Sequence, residues 1–92
     1  MKTILTTLLV LLAATTAQAA CYADYKAKQN EPLRLQYGVA QINGACTESD
    51  AAAELAPRLA SAGWTLLNVV SVFDEHGLQE RRDSAGEFYL RY

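Results

Sequence analysis

Residues 1–19 have the parts of a secretory signal peptide, which leaves only a short segment of the chain to fold. Lys2 gives the start a positive charge, residues 4–14 are apolar, and the tripeptide AQA ending at Ala19 places small residues at the recognition positions of a cleavage site. The apolar stretch of about 11 residues is shorter than the roughly 20 that a membrane-spanning helix needs. We therefore predict cleavage after Ala19, export without a transmembrane span, and folding of residues 20–92 alone.

The remaining 73 residues are enough for one small domain. They carry seven Lys or Arg residues against ten Asp or Glu residues, a formal charge of −3. Nucleic acids and anionic membranes are bound chiefly by clustered basic residues. The adjacent pair Arg81 and Arg82 is flanked by Glu80 and Asp83. We therefore predict no nucleic-acid binding and place this segment on a solvated loop or strand face.

Cys21 and Cys46 are the two cysteines of the chain. In an exported protein such a pair predicts one disulfide, and closing a loop of about 26 residues stabilises the fold by roughly 3.5 kcal/mol. Two alternatives stay open. Cys21 could carry a lipid, although Gln18 stands where an aliphatic residue is usual; Cys46 could be a reactive thiol, with His76 as its base. One His and two separated Cys do not form a zinc site, so we expect no metal or cofactor.

The first predicted strand covers residues 33–39, where apolar and polar residues alternate. Gly38 within it indicates a bulge or a close approach of another backbone. The preceding segment, residues 22–32, is polar and ends in turn-forming residues, which is typical of a loose N-terminal arm.

A helix is predicted between Thr47 and Gly63. Thr47 can cap its first turn, with Asp50 three residues later as in a capping box. Gly63 is the kind of residue that ends a helix in a left-handed conformation. Pro57 removes a backbone hydrogen bond inside this stretch, so the helix either kinks there or divides into two short helices.

The strongest predicted strand covers residues 64–73, with Leu66 and Val70 on one face and Leu67 and Val69 on the other. Either both faces are largely covered or one face forms a contact surface. Residues 78–86 are polar and indicate a frayed hairpin arm, and residues 87–92 alternate like a closing strand. Because a helix crossover makes the strands on either side of it parallel, the pattern predicts an α+β fold. Its order is strand, helix, strand, strand, with a three-stranded mixed sheet and the helix on one face.

The stretch LAPRLASAGWTLLNVVSVF, followed after a loop by FYLRY, resembles a small bacterial domain of unknown function. That domain pairs a helix, a glycine-tryptophan step, an apolar strand and a final aromatic-basic strand, and the resemblance covers residues 33–92. It implies that Gly63 stops the helix and that Trp64 is a core anchor between helix and sheet. It implies no activity, and the pair Cys21 and Cys46 is not part of the general pattern.

The five tyrosines favour a binding role, because aromatic rings with a polar tip are enriched at interfaces. We predict a non-enzymatic binding domain, periplasmic or secreted, whose partner is another envelope protein or a second copy at a sheet edge. The candidate binding face consists of Tyr37, Tyr89, Tyr92 and Arg91. The alternatives are a lipid-anchored envelope component and a small enzyme or redox protein that depends on a thiol or on His76.

Overall fold

Three nine-residue strands form one antiparallel sheet in the computed structural model, which describes residues 20–92. The strands are β1, Cys21–Gln29, β2, Arg34–Ile42, and β3, Thr65–Phe73, and their order across the sheet is β2, β1, β3. The predicted α+β class is confirmed. The predicted signal peptide, residues 1–19, lies outside the described residues.

Helix α1, Glu48–Ser61, crosses from β2 to β3 and packs on one face of the sheet. It begins where the sequence predicts, because Thr47 Oγ1 accepts a hydrogen bond from the backbone N–H of Asp50 at 3.1 Å. Pro57 lies inside one continuous helix, so the alternative of two helices is wrong. The chain leaves the helix through Gly63, whose φ of 89° is readily adopted by glycine.

The loose arm predicted over residues 22–32 is wrong, because most of this segment is the central strand β1. Ala23 and Ala27 are completely buried beneath α1, on the side of the sheet that we call the helix face. Asp24 points to the opposite side, the outer face, as alternation along a strand requires. Two alanines can fill these central positions because their small side chains leave room for the helix.

The predicted mixed sheet is also wrong, because β2 and β3 both pair antiparallel to β1. The two outer strands do run in the same direction, as the crossover through α1 requires, but β1 lies between them. A short turn connects β1 to β2, and this hairpin supplies the central strand that the sequence pattern does not indicate.

The C-terminal hairpin predicted from the sequence is wrong as well. Residues predicted as a polar arm form a second helix, α2, Gln79–Ala85, and the predicted closing strand begins instead with a 3₁₀ turn, Gly86–Phe88. One strand-like contact remains, in which the backbone N–H of Leu90 donates to the carbonyl of Val39 on β2 at 2.8 Å. Helix α2 forms because its Arg81 bonds to β1 across the outer face, a contact between residues 57 apart in sequence.

Gly38 makes room for the largest fully buried side chain of the core. It lies directly opposite Tyr25 on β1, and a Cβ atom at this position would overlap the tyrosine ring and hydroxyl. Gln36 Nε2 donates to the Tyr25 hydroxyl at 2.9 Å. The close neighbour of Gly38 is therefore a side chain rather than another backbone, and the pairing of β1 with β2 continues past it without a bulge.

Gly38→Ala should destabilise the fold by about 2 kcal/mol, because the added methyl group forces the buried Tyr25 ring to move. The midpoint of urea unfolding measures the change. Gly44→Ala is the matched control: its new methyl group would meet only a side-chain oxygen of Glu54, at 3.4 Å. Equal stability of the two variants would contradict the packing described for Tyr25.

Candidate binding surface

β3 is an edge strand: on the side away from β1 it pairs with no other strand of residues 20–92. Its sequence, TLLNVVSVF, contains no charged residue and no proline. Natural edge strands commonly use charges and prolines to prevent other chains from pairing with them. The other edge of the sheet, on β2, is partly covered by the contact between Leu90 and Val39. The free backbone groups of β3 are therefore the more open template for another strand.

Two bulges in β3 bring apolar side chains to the surface of this edge. Pairing with β1 shifts between Asp24 and Tyr25 and again between Lys26 and Ala27. The shifts leave Val70 and Leu67 as extra residues without a partner on β1. Val70 is 42% exposed and Leu67 is 49% exposed.

The bulges also change which residues of β3 face the helix. A regular alternation predicts Leu66 and Val70 on the same face, but in the structure Leu66, Val69 and Val72 pack against the core. Their spacing is three residues rather than two, because each bulge adds one residue between them. The predicted assignment of Val69 and Val70 to faces is therefore wrong.

An open groove of about 280 Å³ lies on the outer face beside this edge. Leu67 of β3 and Leu35 of β2 line it, together with Lys26 and Tyr37. Leu35 is 70% exposed, so the groove continues the apolar surface of the β3 edge across the sheet. We call the β3 edge and this groove together the edge surface.

A buried carboxylate next to the groove holds the outer face together. Asp24 is 4% exposed and accepts hydrogen bonds from the Tyr37 hydroxyl at 2.8 Å, from the Ser71 hydroxyl at 2.7 Å and from Arg81 Nε at 3.1 Å. Burial alone would raise the pKa of Asp24, but these hydrogen bonds outweigh it and hold the pKa below its ordinary value. Burial and the bond to Asp24 raise the pKa of Tyr37 to about 12.

Arg81 connects this carboxylate to helix α2. Its guanidinium lies 3.9 Å from the centre of the Phe73 ring and donates through Nη1 to the carbonyl of Gly77 at 2.6 Å and to Glu80 at 2.8 Å. The expectation that this segment is a solvated loop or strand face is therefore wrong for Arg81. The sequence alone does not reveal the pair, because its two residues come from segments that look polar and irregular. Both oxygens of Asp24 are occupied, so the pair is structural.

The four residues of the predicted binding face lie in different surroundings. Tyr37 lines the groove, whereas Tyr89 and Arg91 line a separate cleft of about 440 Å³ near α2. The Tyr92 hydroxyl accepts a hydrogen bond from Arg58 on α1 at 3.0 Å, and the Arg58 guanidinium lies 5.8 Å from the Tyr92 ring centre. The structure thus brings Tyr89 and Arg91 together and leaves Tyr37 and Tyr92 with other partners.

The remaining sequence-predicted residues have defined places. Cys21 and Cys46 form a disulfide that joins the start of β1 to the loop before α1. Trp64 is 7% exposed, and its ring meets the Phe88 ring edge to face, with 5.7 Å between ring centres. His76 has a side chain that is 86% exposed and lies 3.3 Å from Asp74. Across residues 20–92 no group of three His, Cys, Asp or Glu side chains could hold a metal ion.

Comparison with known proteins gives no match: no family model, no curated protein and no solved structure is significantly similar to this chain. The resemblance to a bacterial domain of unknown function stays a prediction from the sequence. In the part of the chain that the structure describes, no helix is both long and apolar enough to cross a membrane.

Asp24→Asn should lower the free energy of unfolding at neutral pH by about 3 kcal/mol, because it leaves the Arg81 charge without its buried partner. The same substitution should also make the free energy of unfolding depend less on pH in the acid range. The pKa of Asp24 is lower in the folded chain than in the unfolded chain. As the pH falls, the Asp24 carboxylate is therefore protonated first in the unfolded chain. The contribution of Asp24 is therefore present above a pH of about 4 and is lost as the pH falls through the folded pKa.

Urea unfolding at a series of pH values between about 2 and 7 measures both effects. Asp83→Asn is the control for the loss of one negative charge, because it removes an exposed carboxylate from α2. It should change the free energy of unfolding by no more than about 0.5 kcal/mol at neutral pH. The buried ion pair would be contradicted if the Asp24 variant kept the wild-type stability and the wild-type dependence on pH.

Proposed function

We propose that the chain is an exported, non-enzymatic binding domain that recognises another polypeptide through the free edge of β3. One observation carries the proposal: nine consecutive residues without charge or proline form an unpaired edge within the described chain, and Leu67 and Val70 are exposed along it. Such an edge is unfavourable for a protein that acts alone, because it invites pairing with other chains.

The mode of binding is the addition of a strand. The backbone N–H and C=O groups of β3 that point away from β1 would pair with an extended segment. The neighbouring side chains would select among such segments. Leu67 and Leu35 give the groove apolar walls, while Lys26 adds a positive charge between them. The edge surface therefore favours an extended, largely apolar strand.

The chemistry of the other groups supports binding rather than catalysis. Both cysteines are joined in the disulfide, so the fold has no thiol at Cys46 to act as a nucleophile and none at Cys21 to accept a lipid. Asp24 is saturated by three donors, and His76 has one carboxylate beside it on an exposed turn. These contacts weigh against the enzyme and the lipid-anchor alternatives.

A photoreactive side chain at Asn68, an exposed position on β3, should form a covalent adduct with another polypeptide in the producing cells. Val70→Lys in the same chain should abolish the adduct. An added strand would place the new positive charge in the contact with no negative charge opposite it. Leu33→Lys, which changes a more exposed leucine in the turn between β1 and β2, is the matched control and should retain most of the adduct. Equal loss in both variants would point to unspecific apolar contact instead.

The intact mass of the exported protein tests the predicted processing. We expect the mass of residues 20–92 less two hydrogens, which corresponds to cleavage after Ala19 and to one disulfide. An added acyl mass would instead support the lipid-anchored alternative, and retention of residues 1–19 would contradict cleavage. Free thiols in the unreduced protein would contradict the disulfide.

A further inference from the structure

We infer that the polypeptide added at the β3 edge is a second copy of this chain, an inference that rests on the proposed function. The two β3 strands would pair antiparallel about a two-fold axis that passes between the two copies of Val69. This pairing would join the two three-stranded sheets into one sheet of six strands. In an interface of this kind the same surface meets itself, so β3 must be complementary to its own reversed sequence.

The helix-facing residues of β3 meet this requirement. Leu66, Val69 and Val72 lie symmetrically about Val69, because the two bulges give them an equal spacing of three residues. An axis through Val69 places Val69 opposite its own copy and Leu66 opposite Val72 of the second copy. All of these side chains then lie on the helix face of the joined sheet, so its apolar row continues across the interface.

The rest of the strand can pair in the same register without repulsion. Thr65 comes opposite Phe73 of the second copy, Leu67 opposite Ser71, and Asn68 opposite Val70. None of these residues is charged, so two identical edges can approach without like charges meeting. The exposed Leu67 and Val70 would be covered by the second sheet.

The charges at the two ends of β3 are complementary in this arrangement. Lys28 pairs with Thr65 at one end of the strand, whereas Asp74 and Glu75 directly follow Phe73 at the other end. The antiparallel pairing brings the basic end of one copy beside the acidic end of the other, twice in each dimer. A parallel arrangement would place like charges together, so the charges select the antiparallel one.

Helix α1 places small side chains on its side nearest this edge. Glu54 and Arg58 lie on the side of α1 that contacts β2, since Glu54 accepts from the backbone N–H of Asn43 and Arg58 donates to the carbonyl of Gln41. The periodicity of the helix places Ala52 and Ala56 on the opposite side, above β3. Small side chains there allow the helix of a second copy to pass close by.

Sedimentation analysis of the purified mature protein tests the inference. We expect a reversible dimer with a dissociation constant of about 1–50 µM, as suits a small interface. Leu67→Lys and Val70→Lys should each weaken it roughly tenfold or more, because each would bring an unpaired charge into the interface. Leu33→Lys, in the turn between β1 and β2, should leave the dissociation constant unchanged. A monomer at about 100 µM, or equal weakening by all three variants, would overturn the inference.

Charge reversal tests the register. Lys28→Glu and Glu75→Lys should each weaken the dimer by roughly fivefold, because two weak ion pairs become repulsive. The double variant should return to near the wild-type constant, since it exchanges the two charges without removing either. Additive weakening in the double variant would overturn the register through Val69.

The two proposals can fail separately. An adduct from Asn68 that has twice the mass of the mature chain supports the dimer. An adduct with a different polypeptide, combined with a purified protein that stays monomeric, would overturn the second copy as occupant and leave the binding edge in place. No adduct at all from Asn68 would contradict both.

Discussion

The buried ion pair of Asp24 and Arg81 is the interaction on which the outer half of the fold depends. Asp24 lies on the central strand, and its carboxylate receives one hydroxyl from β2, through Tyr37, one from β3, through Ser71, and the guanidinium from α2. Four elements therefore meet at one side chain. A seven-residue helix such as α2 is too short to be stable by itself, so its position on the sheet depends on this contact and on the stacking of Arg81 over Phe73.

The parts of the fold that local chemistry specifies follow from the sequence. Thr47 and Gly63 mark the ends of α1, and the apolar run after Trp64 marks β3. The central strand is harder to find, because the residues that face the helix are small or polar-tipped and Lys26 and Lys28 interrupt them. Helix α2 cannot be inferred from local pattern, since it depends on Arg81 reaching an aspartate 57 residues earlier.

The candidate site shows the same division between local and distant causes. The alternation in the sequence already indicates that β3 has apolar residues on both faces. It does not show that two bulges turn Leu67 and Val70 outward, because a bulge depends on how β1 and β3 pair. The sequence predicts that Tyr37, Tyr89 and Tyr92 share one face, yet Tyr37 binds Asp24 and Tyr92 binds Arg58, which the local sequence does not place beside them.

The position of the central strand at the start of the folded chain has a consequence for the order of folding. β1 emerges first but needs partners on both sides, and Tyr22 pairs with Gln41 on one side and with Phe73 on the other. The hairpin of β1 and β2 can therefore form early, because its contacts are close in sequence, while the other side of β1 waits for β3. During that interval β1 is itself an open edge, and a β3 strand from a neighbouring chain could occupy it. Folding at high local concentration therefore favours exchange of β3 between chains, unless α1 brings its own β3 into place first.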